Sequence, residues 1–289
     1  MSSFHKNNLK TTKLQNPINK INYYKINNNI PKTVYFNLNI SICIHCYDFK
    51  IFNELMFYIK NFFEFKWKRI QIIIHYVNIN LKIIENIIEK VFENTLTIDI
   101  CDCFIFTKGK NIGGDIGGFL RCSEFIKIDD DLVSIIHTKT DDSWRKHLMN
   151  IFTKEGIYTS VKLLKKKDIG MIGSAYNTEF FTKKFNKHFN INQFHIPMIQ
   201  NICDLIQFPF NLENLIKSYF VAGTIFICKK ELLIHIIHKR NLIYDLCLDL
   251  DKLYSIDKKR PKNKTYEHSM EIMFGYIPYQ MKQNLVGIY

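Results

Sequence analysis

From residue 39 onward, predominantly apolar runs of strand length alternate with stretches of helical spacing. NISICIHC (39–46), RIQIIIHYV (69–77), TIDICDCFIF (97–106), LVSIIHT (132–138) and DIGMIGSA (168–175) have the length of strands. Between the first three, apolar side chains recur at Ile51, Leu55, Tyr58, Ile59 and Phe62, and again at Ile83, Ile84, Ile87, Ile88 and Val91. That is the spacing of one helix face. A strand with one wet face alternates apolar and polar residues. These runs do not, so both faces of their sheet are covered. Strand, helix, strand, helix in this order predicts an α/β fold, a mainly parallel sheet with helices on both faces and right-handed crossovers. Residues 143–166 read as a further helix. Sheets of this kind bind ligands outside the carboxyl ends of their strands, so the site is sought there.

No Pro-, Gly- or Ser-rich linker divides the 289 residues, which predicts a single domain over 34–289. Residues 1–33 are rich in Asn and Lys and lack patterned apolar residues; they read as a flexible polar arm. The Lys-rich run DKKRPKNK (257–264) reads as a solvated loop. The first twenty residues contain no apolar signal region, and no stretch of 18 residues is apolar and uncharged, so a cytoplasmic, unsecreted protein without a membrane span is expected. Most of the eight Cys sit in apolar runs, the setting of free buried thiols. Cys43 and Cys46 have C-x-x-C spacing, but no second pair or His cluster completes a zinc site, so a reducing compartment is read. The formal net charge of +13 would suit nucleic acid or a phosphorylated partner. The chain is saturated with Ile, Asn, Lys, Phe and Tyr, a bias that raises Lys everywhere, and its charges are scattered rather than striped. No nucleic-acid partner is therefore expected. The remaining charge suits a polyanionic donor or peripheral contact with a membrane.

The densest local signal is NIGGDIGGFL, Asn111 to Leu120. Gly113, Gly114, Gly117 and Gly118 permit unusual φ angles and close backbone approach. The segment follows a strand and opens a helix, which brings free backbone N–H groups to the ligand edge. It has neither the G-x-G-x-x-G spacing of a dinucleotide fold nor the G-K-[ST] of a phosphate loop. Asp115 among the glycines either accepts bonds from a sugar hydroxyl or base N–H, or caps the helix.

This segment, with Asn111, Gly113, Asp115, Gly117 and Phe119-Leu120, resembles the N-x-G-x-D-x-G-x-F-L segment of rhamnan synthesis F proteins. Four further segments resemble that family in the same order: ISICIHCYDFKIFNEL, DLVSIIHTK with Trp144-Arg145 after it, SYFVAGTIFICKKELL, and His268-x-x-Glu271-x-x-Phe274-Gly275. Together they span about residues 39–278. The sequence departs from the family pattern at Lys229 and Ile272, where Arg is usual. The resemblance implies a GT-A-like nucleotide-diphosphosugar transferase that builds polysaccharide or surface glycan, with rhamnose the eponymous sugar. Its partners would be a nucleotide-diphosphate sugar and a glycan acceptor.

Asp129-Asp130-Asp131 is the tempting Asp-x-Asp pair of such an enzyme. It precedes LVSII and so lies at the amino end of that strand, away from the ligand edge. The carboxyl end carries His137, Thr138 and Lys139, then Asp141 and Asp142. Two readings of the donor diphosphate stand open there. Lys139 neutralises it directly, the reading slightly favoured, or His137 with Asp141 or Asp142 holds Mg²⁺ or Mn²⁺. Asp141 and Asp142 also suit a helix cap. Asn111, Gly113, Asp115, Gly117, His137, Thr138 and Lys139 thus form the expected donor site. On the acceptor side stand Trp144, which would stack on a sugar or be buried, Arg145 as a clamp, and Gly223-Thr224 as a floor. In YEHSMEIMFGY, Glu267 and Glu271 share a helix face, as do His268 and Glu271. By spacing alone this is a salt-bridged surface helix; the resemblance makes Glu271 the first candidate base, Glu267 the second, with His268 beside them. The competing reading is a catalytically inactive glycan- or nucleotide-binding module on the same fold, which would have little reason to keep both Lys139 and Glu271.

Overall fold

Each apolar run sends alternate residues to opposite sides of one sheet, and each side is closed by its own helical layer. The computed structural model describes residues 22–93, 103–175, 195–257 and 266–289. Residues 1–21, Cys101 with the start of the third apolar run, and nearly all of the 257–264 loop lie outside the described residues. The strands are β1 (Asn22–Tyr24), β2 (Tyr35–Cys46), β3 (Lys66–Val77), β4 (Phe104–Gly109), β5 (Leu132–His137), β6 (Ile169–Ser174), β7 (Phe226–Lys229) and β8 (Asn284–Ile288). The described helices are α1 (Phe49–Lys60), α2 (Leu81–Phe92), α3 (Gly114–Cys122), α4 (Asp142–Leu148), α5 (Lys154–Leu164), α6 (His195–Ile206), α7 (Leu212–Lys217), α8 (Ile234–His238), α9 (Arg240–Asp257) and α10 (Tyr266–Gln280).

The strands form one eight-stranded sheet in the order β1-β8-β6-β7-β5-β2-β3-β4. Only β7 runs antiparallel to its neighbours. Ile42, Ile44, Ile72, Ile74 and Ile136 face the layer of α1, α2 and α5. Cys43, Ile73, Val133, Ile135 and Met171 face the layer of α3, α6, α9 and α10. With both faces covered, most mid-strand side chains are apolar, which is why these runs do not alternate; the buried polar ones, Ser41, Gln71 and Ser134, are hydrogen-bonded. Burying each Ile contributes about 1.5–3 kcal/mol relative to exposure. Cys43 and Cys46, three apart on a strand, fall on opposite faces, so their C-x-x-C spacing forms no pair; both are free thiols. No described helix is long and apolar enough to cross a membrane.

Three expectations need correction. The inner part of the presumed arm is structured: β1 pairs in parallel with β8. Ile26 N donates to Tyr289 O at 2.8 Å, Asn27 N donates to Thr159 Oγ1 at 3.0 Å, and Tyr24, Ile26 and Ile30 pack on the core. The helix expected over 143–166 is two helices, α4 and α5, joined by a 3₁₀ turn at Met149–Phe152. Thr153 starts the second by accepting from Gly156 N, and a Cβ at Gly156 would collide with Asn150 O. The third strand, described over Phe104–Gly109, continues past the end of its apolar run at residue 106.

Asp129, Asp130 and Asp131 lie at the amino end of β5, as expected. They fasten it: Arg69 pairs with Asp129 at 2.7 Å and Asp130 at 2.9 Å, and Asn39 N donates to Asp131 at 2.7 Å.

Candidate functional site

Strand order reverses at β2. The chain first lays β3 and β4 on one side of it and then returns to place β5 on the other. The crevice at the carboxyl ends of β2 and β5 is the ligand position of such a sheet. Register places three histidines side by side there: His45 on β2 is opposite His75 on β3 and opposite His137 on β5. All three are buried. Sequence reasoning weighed only His137. The signal for the row was present, since three apolar runs each carry a His near their carboxyl end, and a parallel sheet in register aligns them.

The glycine turn covers this row. Gly113 and Gly114 have φ of 65° and 52°, which side chains other than glycine adopt at a cost. Gly118 lets α3 settle directly on His45, whose ring a Cβ there would strike, and Gly117 clears the Ile112 carbonyl. The helix cap is Gly113, which offers no side chain. Asp115 is therefore not the cap; its carboxylate turns to the sheet and lies 3.1 Å from His137 Nε2. The same nitrogen lies 2.6 Å from Gly223 O. One Nε2–H shared by two acceptors fixes the tautomer and leaves Nδ1 bare, and Nδ1 has no partner among the described residues. Burial lowers the His137 pKa, with Asp115 opposing the shift, so the ring is a neutral strut between turn and sheet.

Gly223, at φ 83°, and Thr224, at φ 53°, form the tight turn before β7. A β-branched residue at positive φ is strained, and such strain collects at functional sites. Gly223 N–H donates to Glu271 Oε1 of α10, and the Thr224 backbone also bonds this carboxylate. Burial raises the Glu271 pKa to about 7, against the pull of the Gly223 amide and Lys139. Lys139, just beyond β5, rests its Nζ 4.0 Å from the centre of the Trp144 ring. Trp144 is half-buried and also backs the Gly223 turn. Tyr47, at the end of β2, has its pKa pushed up to about 12 by burial and then by Asp115, so its hydroxyl keeps its proton. Tyr47 was quoted in a motif but not assigned to the site.

The structure thus brings Asp115, His137, Lys139, Trp144, Gly223, Thr224 and Glu271 into one connected cluster beside the carboxyl end of β5, with Asn111 exposed at its edge. Other expected residues have different work. Thr138 is buried, donating its amide to His45 O and accepting Tyr47 N at 3.1 Å. The Arg145 guanidinium is buried and donates to Lys139 O at 2.6 Å, Glu54 at 2.8 Å and Asp142 at 2.7 Å. It anchors the Lys139 backbone rather than presenting a clamp. Asp141 caps α4, accepting Trp144 N at 2.8 Å, and Asp142 pairs with Arg145 and Lys146. Both carboxylates are exposed, with these contacts engaging them. No group of three or more His, Cys, Asp or Glu able to hold a metal occurs among the described residues. Glu267 and His268 lie one turn before Glu271, both half-buried; the carboxylate that meets the Gly223 turn is that of Glu271. No protein-family model matches the chain, and no curated protein matches it.

Proposed function

We propose that the chain is a GT-A-like glycosyltransferase, moving a sugar from a nucleotide-diphosphate donor to a glycan acceptor in polysaccharide or surface-glycan synthesis. Rhamnose is the sugar that the family resemblance suggests. The observation that carries the reading is Glu271, a carboxylate with a pKa raised to about 7, beside Lys139 at the crevice where the strand order reverses. A base tuned to neutrality next to a cation is what glycosyl transfer needs. Glu271 would take the proton of the acceptor hydroxyl as its oxygen bonds the anomeric carbon. The bond from that carbon to the diphosphate breaks, and the nucleoside diphosphate leaves with the electron pair. Lys139 and the first-turn amides of α3 would hold the charge that develops on the leaving oxygens.

The test is a panel of nucleotide sugars offered to the purified protein. UDP or dTDP is expected to raise the thermal midpoint by linkage, and Asp115→Ala to abolish the rise. Turnover in excess chelator should persist, and Lys139→Ala should slow it by about 10²-fold or more. Turnover that stops with chelator would assign the diphosphate to a metal instead. Binding without turnover on any donor would leave the inactive-module reading, and a panel that shifts nothing would sink both.

A further inference from the structure

His75 does not reach the crevice, yet its ring sets what the crevice rim can recognise. His45 Nδ1 and His75 Nδ1 lie 2.9 Å apart, and the two rings, inclined by 21° with centroids 5.1 Å apart, meet edge to edge. A contact between two ring nitrogens carries one proton. On its other side, His45 Nε2 lies 3.1 Å from Asn111 Oδ1. On its own other side, His75 Nε2 is buried with no partner among the described residues. Gly109 packs against that nitrogen so closely that a Cβ there would collide with it.

The sealed end decides the direction of the chain. If protons pointed from Asn111 towards His75, Nε2 of His75 would carry an N–H with no acceptor among the described residues. An orphaned buried donor is rare and costly, more so than an orphaned acceptor. In the opposite direction Nε2 is a bare lone pair against a glycine. His75 Nδ1–H then donates to His45 Nδ1, and His45 Nε2–H donates to Asn111 Oδ1. Burial lowers both pKa values, His45 to about 4 and His75 to about 3, so each ring holds a single proton at neutral pH, as this direction requires. With Oδ1 accepting from His45, the Asn111 amide turns its NH₂ away from the sheet.

We propose that His75 is a positioning residue. Through His45 it fixes the Asn111 carboxamide as a hydrogen-bond donor at the rim, so that the ligand group received there is an acceptor oxygen, a base carbonyl or a phosphate. The second half of this statement rests on the nucleotide reading above; the first half does not. The relay itself is read from long-range proton–nitrogen spectra of the protein labelled with ¹⁵N-histidine, without ligand. Expected at pH 7 are two neutral rings, His45 protonated at Nε2 and His75 at Nδ1. Protonation of His45 at Nδ1, or a cationic ring in either position, overturns the relay. His75→Phe should scramble the His45 tautomer, whereas His75→Asn, which keeps an N–H at the Nδ1 position, should restore it; equal effects of the two would reduce His75 to packing.

The ligand arm compares wild type with Asn111→Asp, which keeps the acceptor for His45 but removes the donor. Uridine and pyrophosphate are titrated separately. A loss of about tenfold or more, the scale of one hydrogen bond, with uridine assigns the donor to a base carbonyl, and with pyrophosphate to a phosphate. Unchanged affinity for both overturns the acceptor rule while the relay stands on its spectra. If wild type binds neither probe, the nucleotide reading fails, and the spectra still decide the direction of the relay.

Discussion

Glu271 is held where its two protonation states have opposite uses. Its pKa rises from an ordinary carboxyl value to about 7 because burial penalises the charge more than the Gly223 amide and Lys139 favour it. A raised carboxyl pKa means that the folded protein binds this proton more tightly than the unfolded chain. The stability it contributes is full below the unfolded pKa and is lost as pH climbs through about 7. Glu271→Gln, which keeps the acceptor oxygen for Gly223 N–H without the charge, should therefore raise stability at pH 8 by on the order of 3 kcal/mol and change it little at pH 4. Denaturant titrations at the two pH values measure this. The same variant should lose roughly 10² to 10⁴ in turnover, and wild-type kcat should rise with pH through a midpoint near 7. A flat profile, or Glu267→Gln inactive in its place, would remove Glu271 from the base role. At this scale the motifs were informative about proximity: Asp115, Lys139 and Glu271, from three separate segments, lie close enough to act on one another's charge. Arg145 and Thr138 stand in the same motifs, but their side chains turn inward. Spacing along the chain does not tell a presented side chain from one that ties the backbone.

Among the elements, α3 shows how differently four glycines in one motif can act. Gly118 lies against His45, so Gly118→Ala must move the helix or break the histidine row. That overpacking should cost about 1–3 kcal/mol or more and disturb ligand binding as well. Gly114 faces open space, and only its φ of 52° resists a side chain. Gly114→Ala should cost about 1 kcal/mol and leave binding near normal. Thermal melts with and without nucleotide separate the two, and equal losses would contradict this division of labour. The strands were legible because all of β5 and the carboxyl-terminal parts of β2 and β3 are buried without a break, a pattern with few alternatives. The break between α4 and α5 was not, because the apolar residues of the 3₁₀ turn, Met149, Ile151 and Phe152, are buried like those of a helix. The apolar stripe of α2 was slightly misplaced too: Phe92 is buried and Ile83 is 40% exposed.

For the whole molecule, the least legible part was the β1–β8 edge. Strand β1 is three residues long, and the strand it joins, β8, lies at the far end of the chain, where β6 is its other neighbour. Patterning cannot reveal a pairing of that separation. Deleting residues 1–30 should consequently lower the thermal midpoint by several degrees, since it removes β1 and the core contacts of Tyr24, Ile26 and Ile30; one kcal/mol shifts the midpoint of a domain this size by about 2–4 °C. An unchanged melt would return residues 1–30 to the expectation of a flexible polar arm. The same edge has a meaning during synthesis. Residue 22 leaves the ribosome early, and its partner, residue 286, is among the last of these residues to be made. Domains fold as they emerge, amino-terminal parts first. Here the strands from β2 to β5 can assemble while translation continues, but β1 must wait beside an incomplete sheet. A nascent chain stalled just before residue 284 would therefore carry the crevice-forming strands already paired and one early strand with no neighbour to join.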